Sequence, residues 1–335
     1  MGDKMKAVFC EKYGSPEYLK LKSAIKPDPK DNEVQIQNHA SAVTSSDTYI
    51  RRLNVLPLYF QLLARLFIGF RRPRNPILGM IYSGEITKIG KSVDRFKVGD
   101  TVFGSTVQKG TIKFGAYAEY NCVSENSCIA VKPDNLTFLE SAAITYGGVM
   151  ALWCLEKSRF PHSNRNTEKS IKVLVYGASG SVGTSLIQIL NYYGAEVTAV
   201  CSLSNFGLVK SLGAANAIDY KTQDMLSVGK QWNFIYDAVG YKKSKKYLND
   251  YKKALSAQGV FYSVDDGSPD YNYNHLDSLA RLAESNIIKP AIDRIYNLEE
   301  ISEAHSYVDQ GHKKGNVLLA ISQRALHKRK ATYEP

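Results

Sequence analysis

The hydrophobic and polar positions divide the chain into two regimes. Between residues 5 and 130, short segments alternate apolar and polar positions: MKAVFCEKYG, NEVQIQNHASAVTS, SGEITKIGKSVDRFKVGDTVFGS and GAYAEYNCV. Glycine, proline and charged residues separate them, and a period of two broken by such turns predicts a barrel-like antiparallel β domain. One segment departs from this pattern. Val55 to Phe70 is apolar with a single charge at Arg65, shorter than the roughly 20 residues needed to span a bilayer. It is expected to form a helix lying against the protein over a site; the sharper alternative is a lid that meets lipid or a lipophilic substrate.

From Asn135 the period lengthens. Leu136 to Lys157 carries Ala and Leu at helical spacing, and its mid-segment Gly147-Gly148 predicts two helices meeting at the pair. Ser158 to Ser170 reads as a loop. Ile171 to Tyr176 is then an apolar run too short for a helix, followed by the turn GASGSVG at 177–183. A helical spacing through Val182, Leu186, Ile187, Ile189 and Leu190 ends at Gly194, suited to a left-handed cap, and Glu196 to Cys201 is a second strand. The alternation continues through a helix at Phe206 to Leu212, strands at Ala217 to Tyr220 and Phe234 to Val239, a basic helix at Lys243 to Leu255 and a strand at Gly259 to Val264. This predicts an α/β fold, a doubly wound parallel sheet with its ligand at the carboxyl ends of the strands. Beyond Pro290, Leu298 to Gln310 reads as an amphipathic helix and Asn316 to Ile321 as a strand.

A length of 335 residues suits two domains. Five scattered cysteines without a Cys-x-x-Cys pair argue against a disulfide framework or a structural zinc knot, and Cys154 reads as a core residue. The N-terminal MGDKMKAVFCEKYG has no apolar signal core, so a cytoplasmic location is expected. The formal charge of +11 gathers at Arg51-Arg52, Arg71-Arg72 with Arg74, Lys242 to Lys253 and the tail from His327. No helix-turn-helix, RNP or zinc-finger pattern accompanies these clusters, so they read as solvated faces and nucleic acid is not expected as a partner. Peripheral membrane contact through Val55 to Phe70 stays open.

A strand, a glycine turn, a helix and a strand within about thirty residues form the context in which glycines signal a dinucleotide. Ser179, Gly180, Ser181 and Val182 would hold the pyrophosphate: Gly180 admits the phosphate close to the main chain, and the helix N-terminus supplies N–H groups and partial positive charge. A fold preferring NAD places an acid about twenty residues further on. Here that place is Cys201-Ser202-Leu203-Ser204-Asn205, with no acid, whereas Ser202, Ser204, Asn205 and Lys210 can donate to a 2′-phosphate. NADPH is the expected cofactor.

These motifs, with RRPRNPILGM, VDRFKVGDTVFG and FGAYAEY in the same order, resemble the medium-chain dehydrogenase/reductase superfamily, and within it the zinc-free, zeta-crystallin-like quinone oxidoreductase branch. The resemblance covers about residues 5 to 322. It implies a GroES-like β-barrel catalytic domain from residues 1–130 and 289–335, a Rossmann NADPH-binding domain at 131–288, and a homodimer. Where zinc-dependent members hold their metal, this chain has Thr44, Met80 and Tyr146, none a thiolate or imidazole, so no metal site is expected. Without a Lewis acid, the chemistry implied is hydride delivery to a small lipophilic, electron-poor acceptor, a quinone or an α,β-unsaturated ketone or aldehyde. Tyr49 matches a tyrosine lining the substrate site of that branch, Thr44 stands where the branch usually has Asn, and Tyr146 would lie near the nicotinamide. Tyr220 and Asn316 keep positions that face the cofactor. Relatives commonly carry Asp at Ile81, Thr at Met150 and Arg or Lys at Asn205, so the chain departs at all three. The alternatives are a metal-free carbonyl or alcohol oxidoreductase, and an NADPH-regulated RNA- or membrane-binding protein with little turnover.

Overall fold

The structure is a computed structural model that describes residues 2–53, 61–62, 65–66, 68–108, 111–161, 170–223, 232–267 and 273–327. Two compact units emerge: Met1–Thr145 with Tyr271–Glu284 and Ile292–Pro335, and Tyr146–Asp270 with Ser285–Ala291. The domain limits read from the sequence lie at 130/131 and 288/289; the division of the structure falls instead inside the helix Phe138–Lys157.

The first unit opens with β1 (Lys4–Cys10) paired antiparallel to β2 (Leu19–Ile25). Its main sheet is built on β3 (Glu33–Val43), with β4 (Ile81–Ile89) and β5 (Thr101–Ser105) following in the chain. The short pair β6 (Val107–Gln108) and β7 (Thr111–Ile112) leads to β8 (Tyr120–Ser124) and β9 (Cys128–Val131). Strand β3 is long enough to pair with β4 along its length, with β8 through Glu33–Gln37 and with the C-terminal strand through Ala40–Val43. That three-sided pairing explains why β3 lacks the alternation of its neighbours, since ten of its eleven residues are buried. Buried Gln35 is satisfied rather than exposed: its amide donates to Pro27 O at 2.6 Å and accepts from Thr87 Oγ1 at 2.7 Å.

The second unit holds β10 (Lys172–Tyr176), β11 (Glu196–Cys201), β12 (Asn216–Asp219), β13 (Trp232–Asp237) and β14 (Leu255–Ser263). All four pairings are parallel, in the order β12-β11-β10-β13-β14. The order reverses between β10 and β13, the switch point where such sheets bind ligands. The alternation of the sequence is therefore realised as a doubly wound sheet. Leu255, read as the end of the basic helix, belongs instead to β14, after the helix Leu248–Ala254, because its backbone is extended. The chain returns to the first unit with β15 (Ile292–Asn297), the helix Ile301–Asp309 and β16 (Asn316–Ala320), which pairs parallel to β15 and antiparallel to β3.

The expected break at Gly147-Gly148 does not occur: Phe138–Lys157 is one continuous helix. A Cβ on Gly147 would lie 2.2 Å from Ser181 O and 2.7 Å from Ser181 Oγ. The glycine permits a close crossing of two helices rather than a bend. This helix is apolar and long enough to cross a membrane, but 89% of its apolar window is buried within the protein, as in the core helix of a folded domain. The Val55 to Phe70 segment falls largely outside the described residues; within it Gln61, Leu62, Arg65, Leu66 and Ile68 are helical.

Candidate active site

The turn after β10 is built for close approach. Gly177 has φ +74°, and its N–H and that of Ala178 donate to Val200 O at 3.1 and 3.2 Å, so the turn hangs on the end of β11. A Cβ on Gly177 would sit 2.3 Å from Val239 Cγ1, and one on Gly183 would sit 2.4 Å from Gly177 O and 2.6 Å from Ala178 Cα. These two glycines are demanded by the protein's own packing. Gly180 differs: a Cβ there would meet only Gly177 O, at 3.4 Å. Gly180 is also the N-cap of the helix Ser181–Tyr192, and no side chain caps that end. The first N–H groups of a helix have no partner inside it. An open, uncapped N-terminus at the carboxyl end of a parallel strand is a site for a phosphate group.

Asn205 braces this turn to the loop after β11. Its Nδ2 donates to Ser179 Oγ at 3.0 Å and to Ser202 Oγ at 3.3 Å, while its buried Oδ1 has no partner among the described residues. Lys210 is exposed on the helix Phe206–Ser211. Tyr220 is half-buried and its carbonyl accepts from Tyr247 Oη at 3.5 Å. The nearby acid, Asp219 at the end of β12, already accepts from Lys221 N at 3.1 Å. The end of β11 is thus polar and carries no acid of its own, with Asp219 beside Cys201 on the neighbouring strand. Ser179, Gly180, Ser181, Val182, Ser202 and Asn205 fit a phosphate-bearing dinucleotide, with Lys210 on the adjoining helix.

Sequence reasoning missed the support beneath this turn. Asp237, at the end of β13, is 1% exposed and accepts four bonds: Val239 N at 3.0 Å, Gly240 N at 3.2 Å, Ser244 Oγ at 2.7 Å and Ser263 Oγ at 3.0 Å. A buried carboxylate this well satisfied fixes the loop that carries Val239 onto Gly177. An acid closing an apolar strand just before a glycine was the available signal.

Thr44, Tyr49 and Asn316 belong to the first unit, and Tyr146 with the other candidates to the second. Thr44 N-caps the helix Ser45–Arg52 in a reciprocal capping box: its hydroxyl donates to Asp47 Oδ2 at 2.6 Å and accepts from Asp47 N at 3.2 Å. Its proton is thereby committed to Asp47. Burial pushes the Asp47 carboxyl up to about 6, against the opposing Thr44 hydrogen bonds. Tyr49, the fifth residue of the helix, is 45% exposed. Tyr146 is half-buried, and Asn316 is buried at the start of β16. Among the described residues no three His, Cys, Asp or Glu side chains gather as metal ligands.

The same helix is anchored by a fully buried cation. Arg51 Nη2 meets Asp309 Oδ2 at 2.5 Å, its Nε donates to His305 Nδ1 at 3.3 Å, and Nη1 donates to Gly14 O. Burial and the neighbouring Arg51 cation hold His305 neutral, its pKa lowered to about 3. These contacts tie the helix bearing Tyr49 to the helix Ile301–Asp309.

The alcohol dehydrogenase GroES-like domain family matches residues 30–134, and the zinc-binding dehydrogenase family matches residues 267–319. The 2-methylene-furan-3-one reductase of Solanum lycopersicum is 32% identical, covering 94% of this chain and 79% of that protein. The chloroplastic quinone oxidoreductase of Triphysaria versicolor is 28% identical over 95% of this chain and 99% of its own length. The structure of the quinone oxidoreductase from Coxiella burnetii, 24% identical, matches with a TM-score of 0.79 over 96% of this chain and all of that one, which bears on the fold. The parallel sheet with its glycine turn, the mainly antiparallel first unit and the chain-long likeness agree: the chain belongs to the medium-chain dehydrogenase/reductase superfamily, in its quinone oxidoreductase branch.

Proposed function

We propose that this protein is an NADPH-dependent oxidoreductase that reduces quinones or α,β-unsaturated ketones and aldehydes without zinc. The observation that carries the proposal is the open cradle at Gly180, at an uncapped helix N-terminus beside a strand, β11, whose own end carries no acid. The names of similar proteins support it: 2-methylene-furan-3-one reductase, quinone oxidoreductase, and the NADPH-dependent alkenal/one oxidoreductase of Arabidopsis thaliana, 29% identical.

When bound, NADPH supplies the hydride. The protein's part is to hold it and to prepare the acceptor. Backbone N–H groups at the helix N-terminus receive the pyrophosphate. Ser202 and Lys210 receive the 2′-phosphate, with Asn205 holding the Ser179 and Ser202 hydroxyls in place, and a carboxylate there would repel it. Thr44, Met80 and Tyr146 provide no thiolate, imidazole or carboxylate for a metal, so polarisation of the substrate oxygen falls to hydrogen bonding. With the Thr44 proton committed to Asp47, that donation is assigned to Tyr49, whose side chain is exposed on the same helix. A single neutral donor suits an acceptor that is already electron-poor, and leaves an unactivated ketone or alcohol unreactive.

The test is NADPH oxidation over a panel containing a benzoquinone, a naphthoquinone, short and long alkenals and simple ketones. Saturable turnover of the quinones or alkenals, abolished by Gly180→Val, is expected. Turnover confined to simple ketones would replace this reading with that of a carbonyl reductase.

A further inference from the structure

Between Asp47 and Glu85 the chain carries Arg51, Arg52, Arg65, Arg71, Arg72 and Arg74 but no carboxylate. Asp309 pairs with the first two. None of the other four forms an ion pair with a described residue. Glu11, which senses the Arg72 charge, is itself paired with Lys22 at 2.5 Å. These four arginines gather with Leu66 and Phe70 around one concavity.

Its geometry is set by the end of a helix. Gly69 N donates to Arg65 O at 3.0 Å, Arg74 N to Ile68 O at 2.7 Å, and Tyr13 Oη to Gly69 O at 3.0 Å. Gly69 has φ +130°, and a Cβ there would lie 2.2 Å from Arg72 O, so only glycine closes this turn. The Arg74 guanidinium donates to Leu66 O at 2.7 Å and serves the helix end. Arg71 and Arg72 have no such bond among the described residues and are exposed. Beside them Leu62, Leu66 and Phe70 are 52%, 63% and 64% exposed, with Leu62 and Leu66 both helical and spaced four residues apart in the sequence. Arg65 lies over the Tyr13 and Phe70 rings at 5.9 and 6.0 Å, holding Phe70 against this cationic rim.

We propose that this face docks on an anionic lipid surface, with Arg71 and Arg72 on headgroup phosphates and Leu62, Leu66 and Phe70 at the boundary of headgroups and acyl chains. Solubility in a chain of +11 does not call for further exposed cations, and a cluster of exposed large apolar residues is unfavourable in water. A nucleic acid would use the charges and leave the aliphatic stripe in water, whereas an interface of anionic lipid satisfies both.

Flotation of the full chain with vesicles of phosphatidylcholine, alone or mixed with phosphatidylglycerol, tests this. Binding to the mixed vesicles only, weakened by salt, is expected. Each arginine near such a surface adds about fivefold, so R71Q/R72Q should weaken binding about 25-fold. NADPH turnover of that variant should be unchanged, which shows that it remains folded. Leu62→Ser should lower the binding that survives in salt. Equal binding to neutral vesicles, or undiminished binding by R71Q/R72Q, overturns the proposal. So does release by inorganic phosphate at an ionic strength where chloride fails, which indicates a small-anion site. Capture of an oligonucleotide duplex through the same arginines with no vesicle binding overturns it as well.

Discussion

Gly180 and Gly183 stand three residues apart in one turn and answer to different demands. Gly183 is fixed by the fold, with no room for a Cβ against Gly177 O, whereas Gly180 has room in the free protein. Gly183→Ala should therefore destabilise the protein by several kcal/mol, the range of a severe packing clash. Gly180→Ala should leave the melting temperature nearly unchanged and weaken NADPH binding at least tenfold, as read by fluorescence titration beside thermal melts. Equal losses of stability in the two would remove the assignment of Gly180 to a ligand. The glycine pattern was legible because close approach leaves a mark on composition. Thr44 was legible only as a position that the resemblance placed in a substrate site; the capping box it forms with Asp47 went unread, though the Thr-x-x-Asp spacing was its signal. Arg51 was seen only as charge. Its burial against Asp309 and His305 joins residues more than 250 apart, which no local pattern shows. Asp309→Ala should cost about 3–5 kcal/mol by leaving that buried cation unpaired, measurable by denaturant unfolding.

The helix Phe138–Lys157 shows where element-scale reading fails. A Gly-Gly pair lowers helix propensity by about 1 kcal/mol per residue, and a break is the ordinary inference from sequence. Packing overrides it, because Gly147 lets the helix pass against Ser181 at the mouth of the phosphate cradle. Gly147→Leu should lower both stability and cofactor affinity by displacing the N-terminus of Ser181–Tyr192, which thermal melts and NADPH titration of the same variant would read together. The loop after β13 is a second case. Its apolar strand was legible, but the four donors collected by Asp237 come from residues 239, 240, 244 and 263. Asp237→Ala should cost about 3 kcal/mol or more by stripping several buried donors of their partner.

For the whole molecule, alternation of period two followed by strand and helix units was enough to recover both architectures. The helix Tyr273–Glu284 joining the first unit was not legible, since its partner β9 is remote in sequence. Stability should depend on pH through groups of opposite sign. Burial lowers His39 to about 4 and His305 to about 3. The unfolded chain therefore takes up protons first, and stability present above about 6.5 is lost as pH falls toward those values. Asp47, raised to about 6, gains stability as pH falls through that value, but the two histidine shifts together are larger. Thermal melts should decline from pH 7 to pH 4.5, and less steeply in His305→Asn; a flat profile would contradict the burial of both rings. The central claim is metal-free hydride transfer from NADPH to an electron-poor acceptor. Its most direct measurement is steady-state oxidation of NADPH and NADH by 1,4-benzoquinone after exhaustive dialysis against a chelator. The account predicts saturable turnover that chelation does not alter, with kcat/KM for NADPH at least tenfold above that for NADH. Activity lost on chelation and restored by zinc, or no oxidation of either nucleotide by the folded protein, would contradict it.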